Sequence, residues 1–239
     1  MHKILEEYLT GSRLLIRERE QGRDEKDYRF DASSVHGISE KDIRRFFIAR
    51  GIDALTEAPN GSFVASGKGG REHLYSHGLK TVFPRIVTVA KESIITIGAA
   101  GRLITEFNWN VDNIGFQYNW NGSWPFDLFC VEPGDVVVRI MCEVKKSKAE
   151  LDTMCNVIEA NFAELTVPPG VPRHAIVNAA PKITCLRAMR PSIFWALGPD
   201  DYQRIYRIEQ DITSGALRLS AGGPEDLHCP ASSTRAHRE

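Results

Sequence analysis

The stretch from Trp124 to Leu165 decides the fold and reads WPFDLFCVEPGDVVVRIMCEVKKSKAELDTMCNVIEANFAEL. It predicts a short apolar strand over 125–131, a tight turn, a second strand that reaches Lys145, and then a helix. The turn is expected at 132–135, because Pro133 presets its backbone and Gly134 can adopt a positive φ. Two strands joined by so short a connection pair antiparallel.

The second strand alternates, so its residues are expected on two faces of the sheet. One face takes Val136, Val138, Ile140, Cys142 and Val144. The other takes Arg139, Met141, Glu143 and Lys145. A capping box of Ser147 with Glu150 then starts the helix. Its apolar positions recur at helical spacing: Leu151, Met154, Cys155, Ile158, Phe162 and Leu165. This stripe predicts a helix packed back onto the sheet.

Glu143 and Lys145 are two residues apart on one strand, so both project from the same face. Asp127 lies in the preceding strand, and antiparallel pairing is expected to bring it near Glu143. Carboxylates this close repel unless a cation neutralises them. Mg²⁺ suits such oxygens, since it takes one or two carboxylates together with waters and phosphate oxygens. A metal-assisted reaction at a phosphate, with Lys145 orienting a water, follows as an expectation.

The segments Pro125-Phe126-Asp127 and Glu143-Val144-Lys145, followed by a helix, resemble the PD-(D/E)xK nuclease superfamily, which has the restriction-endonuclease-like fold. One residue is inserted between the proline and the aspartate. The resemblance implies that Asp127 and Glu143 bind Mg²⁺ or Mn²⁺, with the backbone carbonyl of Val144 as a further ligand. It also implies that Lys145 is the catalytic lysine.

The same family often has a further acid on a helix before the first core strand, and here Glu92 and Glu106 compete for that role. A structural explanation of the motif stays open beside the functional one. An acidic-x-basic triplet at a strand end is often a solvated edge or a surface ion pair. Asp127, close behind a proline, also suits an ordinary turn.

Composition limits the choice of function. The chain has 239 residues and a formal net charge of −1, so any nucleic-acid surface must be local. Five cysteines, none at CxxC spacing, argue against a disulfide framework and for small buried side chains in a reducing compartment. No run is long enough to span a membrane, and charged residues interrupt any early signal sequence. We therefore expect a cytoplasmic location.

The N-terminal part, 1–71, is expected to be a small helical segment. Apolar residues near helical spacing over 1–20, with Gly11 as a break, predict helices there. Ser39 with Asp42 predicts a second helix start, and Gly51 its end. This helix carries three arginines, Arg44, Arg45 and Arg50. The three arginines either contact phosphates or form a solvated basic face. Both explanations stay open, and the second is the commoner one.

The nuclease-like core is expected over 72–220. The segments 82–89 and 93–97 are rich in β-branched residues, whereas 99–107 is compatible with a helix. Residues 113–120 predict a strand with Ile114, Phe116 and Tyr118 alternating, joined to the next strand by an Asn121-Gly122 hairpin turn. Gln117 points away from that face. Its side chain is either exposed to solvent or reaches the site, and both alternatives stay open. Lys182, Arg187 and Arg190 make a later segment locally basic, and we expect it to be solvated.

Beyond the long helix, Pro181 predicts a helix start and 192–197 a buried strand, with a closing hairpin over 202–219. The residues 221–239 are expected to be a disordered tail. The predicted fold is thus α/β: a restriction-endonuclease-like core with a central mixed β-sheet flanked by helices, behind the helical N-terminal segment.

The predicted function is metal-dependent hydrolysis of phosphodiester bonds in DNA, as in a restriction or defence endonuclease. The alternative is a catalytically inactive nucleic-acid-binding or interaction module on the same fold. A third, a regulator acting through the Ser39–Arg50 helix, also stays open. The expected partner is nucleic acid, foremost DNA, and no interaction with a membrane is expected. The sequence leaves open whether the protein forms a homodimer and whether its substrate is DNA or RNA.

Overall fold

Six helices and twelve strands form the part of the chain that this computed structural model describes, residues 1–53, 55–65, 68–78, 81–134, 136–163, 173–211 and 215–230. The helices are α1 (His2–Thr10), α2 (Ser12–Glu20), α3 (Glu40–Arg50), α4 (Lys91–Thr105), α5 (Lys148–Asn161) and α6 (Arg173–Met189). The strands are β1 (Tyr28–Phe30), β2 (Leu55–Glu57), β3 (Ser62–Ala65), β4 (Glu72–His73), β5 (Tyr75–His77), β6 (Arg85–Val89), β7 (Ile114–Trp120), β8 (Ser123–Val131), β9 (Val138–Val144), β10 (Ile193–Leu197), β11 (Gln203–Gln210) and β12 (Leu217–Ala221).

The central sheet has six strands in the order β12-β11-β10-β9-β8-β7. β9 and β10 run parallel, and the other neighbours run antiparallel. The connection between the parallel pair carries α5 and α6, as a crossover between parallel strands requires. The chain is therefore α/β with a mixed sheet, which confirms the predicted class.

Helices cover both faces of this sheet. On one face α4 packs in a cluster with Leu128, Ile140 and Cys142. On the other face α5 and α6 pack around Phe129 and Met141. Because β10 lies in the middle and is covered on both sides, all five of its residues are buried. This explains its continuous apolar sequence.

Two hairpin turns are formed as predicted. Asn121 and Gly122 both adopt positive φ, 51° and 79°, between β7 and β8. Gly134 adopts φ of 76° between β8 and β9, and the amide of Glu132 donates to the Val137 carbonyl across that turn. Asp135 lies outside the described residues. Both turns depend on backbone conformations that glycine and asparagine accept at little cost.

The predicted strand faces are wrong at two points, each with a backbone cause. The β8–β9 register shifts between Cys130 and Val131, so Val138 packs with the opposite cluster from Ile140, and Val136 is 88% exposed. In β7, Gln117 has φ of 51°. Phe116 consequently packs on the α4 side of the sheet and Tyr118 on the other side.

The capped helices form as predicted, with corrections at their ends. Ser147 accepts a hydrogen bond from the Glu150 amide at 3.3 Å, and the apolar stripe of α5 is buried as far as Phe162. Leu165 lies outside the described residues. α6 begins at Arg173, so Pro181 lies inside it rather than at its start. A proline there removes one backbone hydrogen bond, which this helix tolerates.

Residues 93–97 are helical, although their β-branched side chains suggested a strand. They belong to α4, in which 93–103 is continuously buried. A helix buried on all sides shows no amphipathic period, so sequence pattern cannot identify it. Gly98 and Gly101 allow its close approach to α3: a Cβ at Gly101 would lie 2.6 Å from that of Ala49.

The segment 1–71 contains the predicted helices and also β1, β2 and β3. Ser39 caps α3 by accepting from the Asp42 amide at 3.1 Å, and Gly11 separates α1 from α2. One apolar cluster joins Leu5, Phe46 and Phe63 of this segment to the α4 face of the central sheet. The two predicted parts of the chain therefore share a core.

The tail predicted to be disordered from residue 221 is instead ordered through Pro230, with a 3₁₀ turn at Pro224–Leu227. Leu227 is fully buried, and its carbonyl accepts from Trp109 Nε1 at 2.7 Å. Residues 231–239 lie outside the described part. The five cysteines are free, and all except Cys229 are buried, as expected. Among the described helices, none has the length and apolarity needed to cross a membrane.

Candidate active site

Asp127 lies on β8 at the end of its pairing with β9. Leu128 pairs with Cys142, which sets Asp127 opposite Glu143. The Val144 amide donates to Asp127 Oδ2 at 2.8 Å, so the carboxylate is fixed by the backbone of β9. Burial raises the pKa of Asp127 well above its ordinary value, and the charges of Glu143 and Glu72 raise it further. The structure thus brings the two sequence-predicted acids together.

Glu143 is 3% exposed and is paired with two lysines. Lys145 donates to its Oε1, and the Lys182 ammonium lies 3.0 Å from the same oxygen. Lys145 follows β9 directly, whereas Lys182 reaches the site from α6. The triplet on the strand is therefore a buried ion pair and not a solvated edge.

The lysine of the motif is a stable cation. Burial alone lowers the pKa of Lys145, but the charge and hydrogen bond of Glu143, with the charges of Glu92 and Asp127, outweigh burial and raise it. Lys145 therefore carries its proton at neutral pH. In this state it can donate a hydrogen bond or neutralise an anion, and it cannot accept a proton.

Glu92 and Glu106, the two helix acids, lie at opposite ends of α4. Glu92 lies in the first turn of α4, and its Oε1 accepts from the Lys146 amide at 3.2 Å. Glu106 lies beyond the other end of α4 and pairs with Arg102 at 3.0 Å. Glu92 is therefore the helix acid beside Asp127 and Lys145.

Glu72 is a site acid that sequence reasoning missed. It is 4% exposed on the two-residue strand β4 and accepts a hydrogen bond from Gln117. Burial raises its pKa to about 7; the hydrogen bonds of Gln117 and Ser93 oppose this, and the charges of Glu92 and Glu143 add to it. In the sequence, Gln117 stands out only as a polar residue between Phe116 and Tyr118, and its positive φ has no sequence signal. Glu72 and Lys182 have no sequence signal that points to the site.

The acids border two cavities. The larger, about 830 Å³, lies between the central sheet and β4–β6, with Glu72, Glu92 and Asp127 in its wall. The smaller, about 630 Å³, lies beside α5 and α6, with Lys145 and Lys182 in its wall. Glu92 and Lys146 line both. Of the motif residues, Asp127 therefore borders the larger cavity and Lys145 the smaller one, and the lining of neither cavity includes Glu143.

The donor set fits a hard divalent cation in its chemistry. Asp127 and Glu143 supply carboxylate oxygens, and Mg²⁺ needs only one or two of these because waters and substrate oxygens complete its shell. Across the described ranges, no group of three or more His, Cys, Asp or Glu side chains is arranged to hold a metal ion. The Val144 carbonyl as a ligand stays a prediction.

The three arginines of α3 differ from the solvated face that we expected. Arg45 pairs with Asp201 and lies 3.8 Å from Glu106, and Arg50 donates to Glu57 at 2.9 Å. Arg44 is exposed. Two of the three guanidinium groups are thus engaged in ion pairs within the chain.

Comparison with known proteins adds no relative: no protein-family model, curated protein or solved structure matches this chain.

Proposed function

We propose that the protein is a metal-dependent nuclease that hydrolyses phosphodiester bonds of DNA. The observation that carries this proposal is the meeting of Asp127, Glu143 and Lys145 at the end of one strand pair, beside two cavities. Oxygen ligands next to a fixed ammonium group are what hydrolysis of a phosphate diester needs, since negative charge grows on the phosphate oxygens.

The order of elements supports the nuclease-like core as a finer description of the fold. α4 precedes three antiparallel strands, β7 to β9, and a helical crossover leads to the parallel strand β10. This order agrees with the restriction-endonuclease-like resemblance drawn from the motif. Glu92, in the first turn of α4, takes the place of the family's additional acid.

Each residue has a separate part in the proposed reaction. When bound by Asp127, Glu143 and the Val144 carbonyl, Mg²⁺ would supply positive charge at the phosphate. The Lys145 ammonium orients the attacking water and stabilises the charge on the phosphate oxygens. The water oxygen forms a bond to phosphorus as one ester P–O bond breaks. One water proton goes to the departing oxygen, which leaves as a hydroxyl group, and the other is lost from the phosphate monoester to solvent. Lys182 shares Glu143 Oε1 and so helps to hold that carboxylate in place.

Cleavage of mixed DNA and RNA in Mg²⁺ or Mn²⁺ tests the proposal. We expect the wild type to cleave, and Lys145→Ala to lose about 100-fold or more of the rate, the usual effect of removing a group that stabilises the transition state. Lys3→Ala is the matched control, since Lys3 is an exposed lysine on α1. Equal rates for the wild type and Lys145→Ala would contradict the proposed role.

A specific observation favours the second candidate, a nucleic-acid-binding or interaction module without cleavage. Both lysines compensate Glu143, so its charge is balanced without a metal. In that case nucleic acid binds, and added Mg²⁺ changes neither stability nor the substrate. The same cleavage assay, combined with a binding measurement, separates the two candidates.

A further inference from the structure

The two cavities adjoin at Glu92 and Lys146, which line both. Asp127 lines the larger cavity, and Lys145 lines the smaller one. Together the cavities form a path that begins between the central sheet and β4–β6, passes Glu92 and Lys146, and continues beside α5 and α6. An extended ligand that occupies both cavities passes Glu92 and Lys146, with Asp127 on one side of the crossing and Lys145 on the other.

Basic side chains lie at both ends of this path. Arg71 and Lys91 line the larger cavity, and Lys145 and Lys182 line the smaller one. Hydroxyl groups of Ser76 and Thr88 add donors in the larger cavity, as Thr153 does in the smaller one. Cations in both cavities, beside acids that include Glu150 in the smaller one, suit a polyanion that spans the two cavities and reacts near the middle of its bound length.

The acids are recessed, which restricts the form of the substrate. Glu72 is 4% exposed and lines the larger cavity with Asp127, so a phosphate reaches these two acids only by entering that cavity. The phosphates of a duplex lie on the outside of a stiff helix that cannot bend into a recessed path, whereas a flexible single strand can follow one. The cavities, at about 830 and 630 Å³, have the size of small-ligand sites, commonly about 300–1,000 Å³.

We propose that the protein binds single-stranded nucleic acid along this path, with the backbone running from Arg71 and Lys91 past Asp127 to Lys145 and Lys182. The inference rests on the proposed function and specifies its substrate class. Sequence-independent contacts with the backbone dominate, because cations and hydroxyl groups form the ends of the path.

Fluorescence anisotropy without divalent metal tests binding apart from cleavage. The probes are labelled thymidine and uridine single strands of about 12 nucleotides, within the usual site sizes, and the matching blunt DNA duplex. We expect the single strands to bind about tenfold more tightly than the duplex. Arg71→Ala is expected to weaken single-strand binding about threefold to tenfold and to reduce the salt slope by about one.

Lys182→Ala tests the other end of the path. Lys146 is an exposed lysine that lines both cavities, so Lys146→Ala keeps the test valid if Lys182→Ala folds poorly. Lys3→Ala is the control and is expected to leave binding unchanged. A duplex bound as tightly as the single strands, or an unchanged affinity in both Arg71→Ala and Lys146→Ala, overturns the inference.

The cleavage assay separates this inference from the proposed function. Preferred cleavage of the duplex would overturn the single-strand path and leave the nuclease proposal intact. Single-strand binding that depends on Arg71 and Lys146 but is followed by no cleavage in Mg²⁺ or Mn²⁺ would leave the path standing and replace the nuclease with the binding module.

Discussion

The ammonium group of Lys182 lies 3.0 Å from Glu143 Oε1, the oxygen that also receives the hydrogen bond of Lys145. One buried carboxylate oxygen therefore joins the end of β9 to α6. Removing one partner from a buried ion pair leaves a charge without compensation, which costs more than the pair itself contributes.

Lys182→Met is expected to lower the free energy of unfolding by about 1–3 kcal/mol, because Glu143 then keeps only Lys145 as its partner. Urea denaturation measures this, with Lys3→Met as the exposed control. The double variant Lys182→Met/Glu143→Gln should lose much less than the sum of the single changes. Additive losses would show that the pair is not coupled.

Mg²⁺ is expected to stabilise the wild type, by about 2.7 kcal/mol when its free concentration is about 100 times the dissociation constant. Asp127→Asn and Glu143→Gln should lose most of this gain, since each removes a charged ligand. Asp127→Asn should stay folded without metal, because neutralising it relieves its repulsion with Glu143. Glu143→Gln is expected to lose some stability, because it leaves Lys145 and Lys182 without their shared carboxylate. Thermal unfolding with and without Mg²⁺ measures this, with Glu209→Gln on β11 as the control. Identical responses in all variants would show that no cation binds between these carboxylates.

Glu72→Gln is expected to stabilise the protein above pH 7 and to have little effect below pH 4.5. The unfolded chain releases this proton near 4.5, whereas the folded protein keeps it until about 7. Between these values the folded state binds more protons, so wild-type stability falls as pH rises. The variant avoids a penalty of about 3 kcal/mol at the upper end. Urea denaturation across this pH range, with a chelator present, measures the free energy of unfolding of both proteins. Glu7→Gln is the exposed control. Parallel pH profiles for the wild type and Glu72→Gln would contradict the raised pKa of Glu72.

Arg50→Ala is expected to reduce stability by about 0.5–1 kcal/mol, since it removes the ion pair with Glu57 and a cation–π contact with Tyr8 at 4.9 Å. Its effect on the salt dependence of nucleic-acid binding should be nil, because α3 does not line either cavity. Arg44→Ala, at an exposed position, should change neither property. A flatter salt slope in either variant would place nucleic acid on this helix.

Local sequence signals predicted the parts of the fold that local chemistry decides. The hairpin turns at Asn121 and Gly134, the cap at Ser147 and the pairing of β8 with β9 each follow from neighbouring residues. This was enough to bring Asp127, Glu143 and Lys145 to one end of the sheet.

The missed features depend on residues that are distant in sequence or on backbone changes without a pattern. Lys182 reaches Glu143 only because α6 packs on α5, and Glu72 faces the site from a strand of two residues. Phe116 and Tyr118 lie on opposite faces of the sheet because Gln117 has a positive φ. Residues other than glycine rarely adopt this conformation, so the sequence does not indicate it. Burial on all sides likewise hid the helix over 93–97.

The shared apolar cluster has a consequence for any effort to transplant or shorten the protein. Leu5, Phe46 and Phe63 belong to the same apolar cluster as Leu128 and Ile140, and α3 packs closely against α4, which covers that face of the sheet. A chain begun near residue 72 would keep Asp127, Glu143 and Lys145 yet expose to water the side of α4 that α3 covers. The site therefore depends on the N-terminal segment, which supplies Ser34, Gly70 and Arg71 to the wall of the larger cavity as well as part of the apolar core.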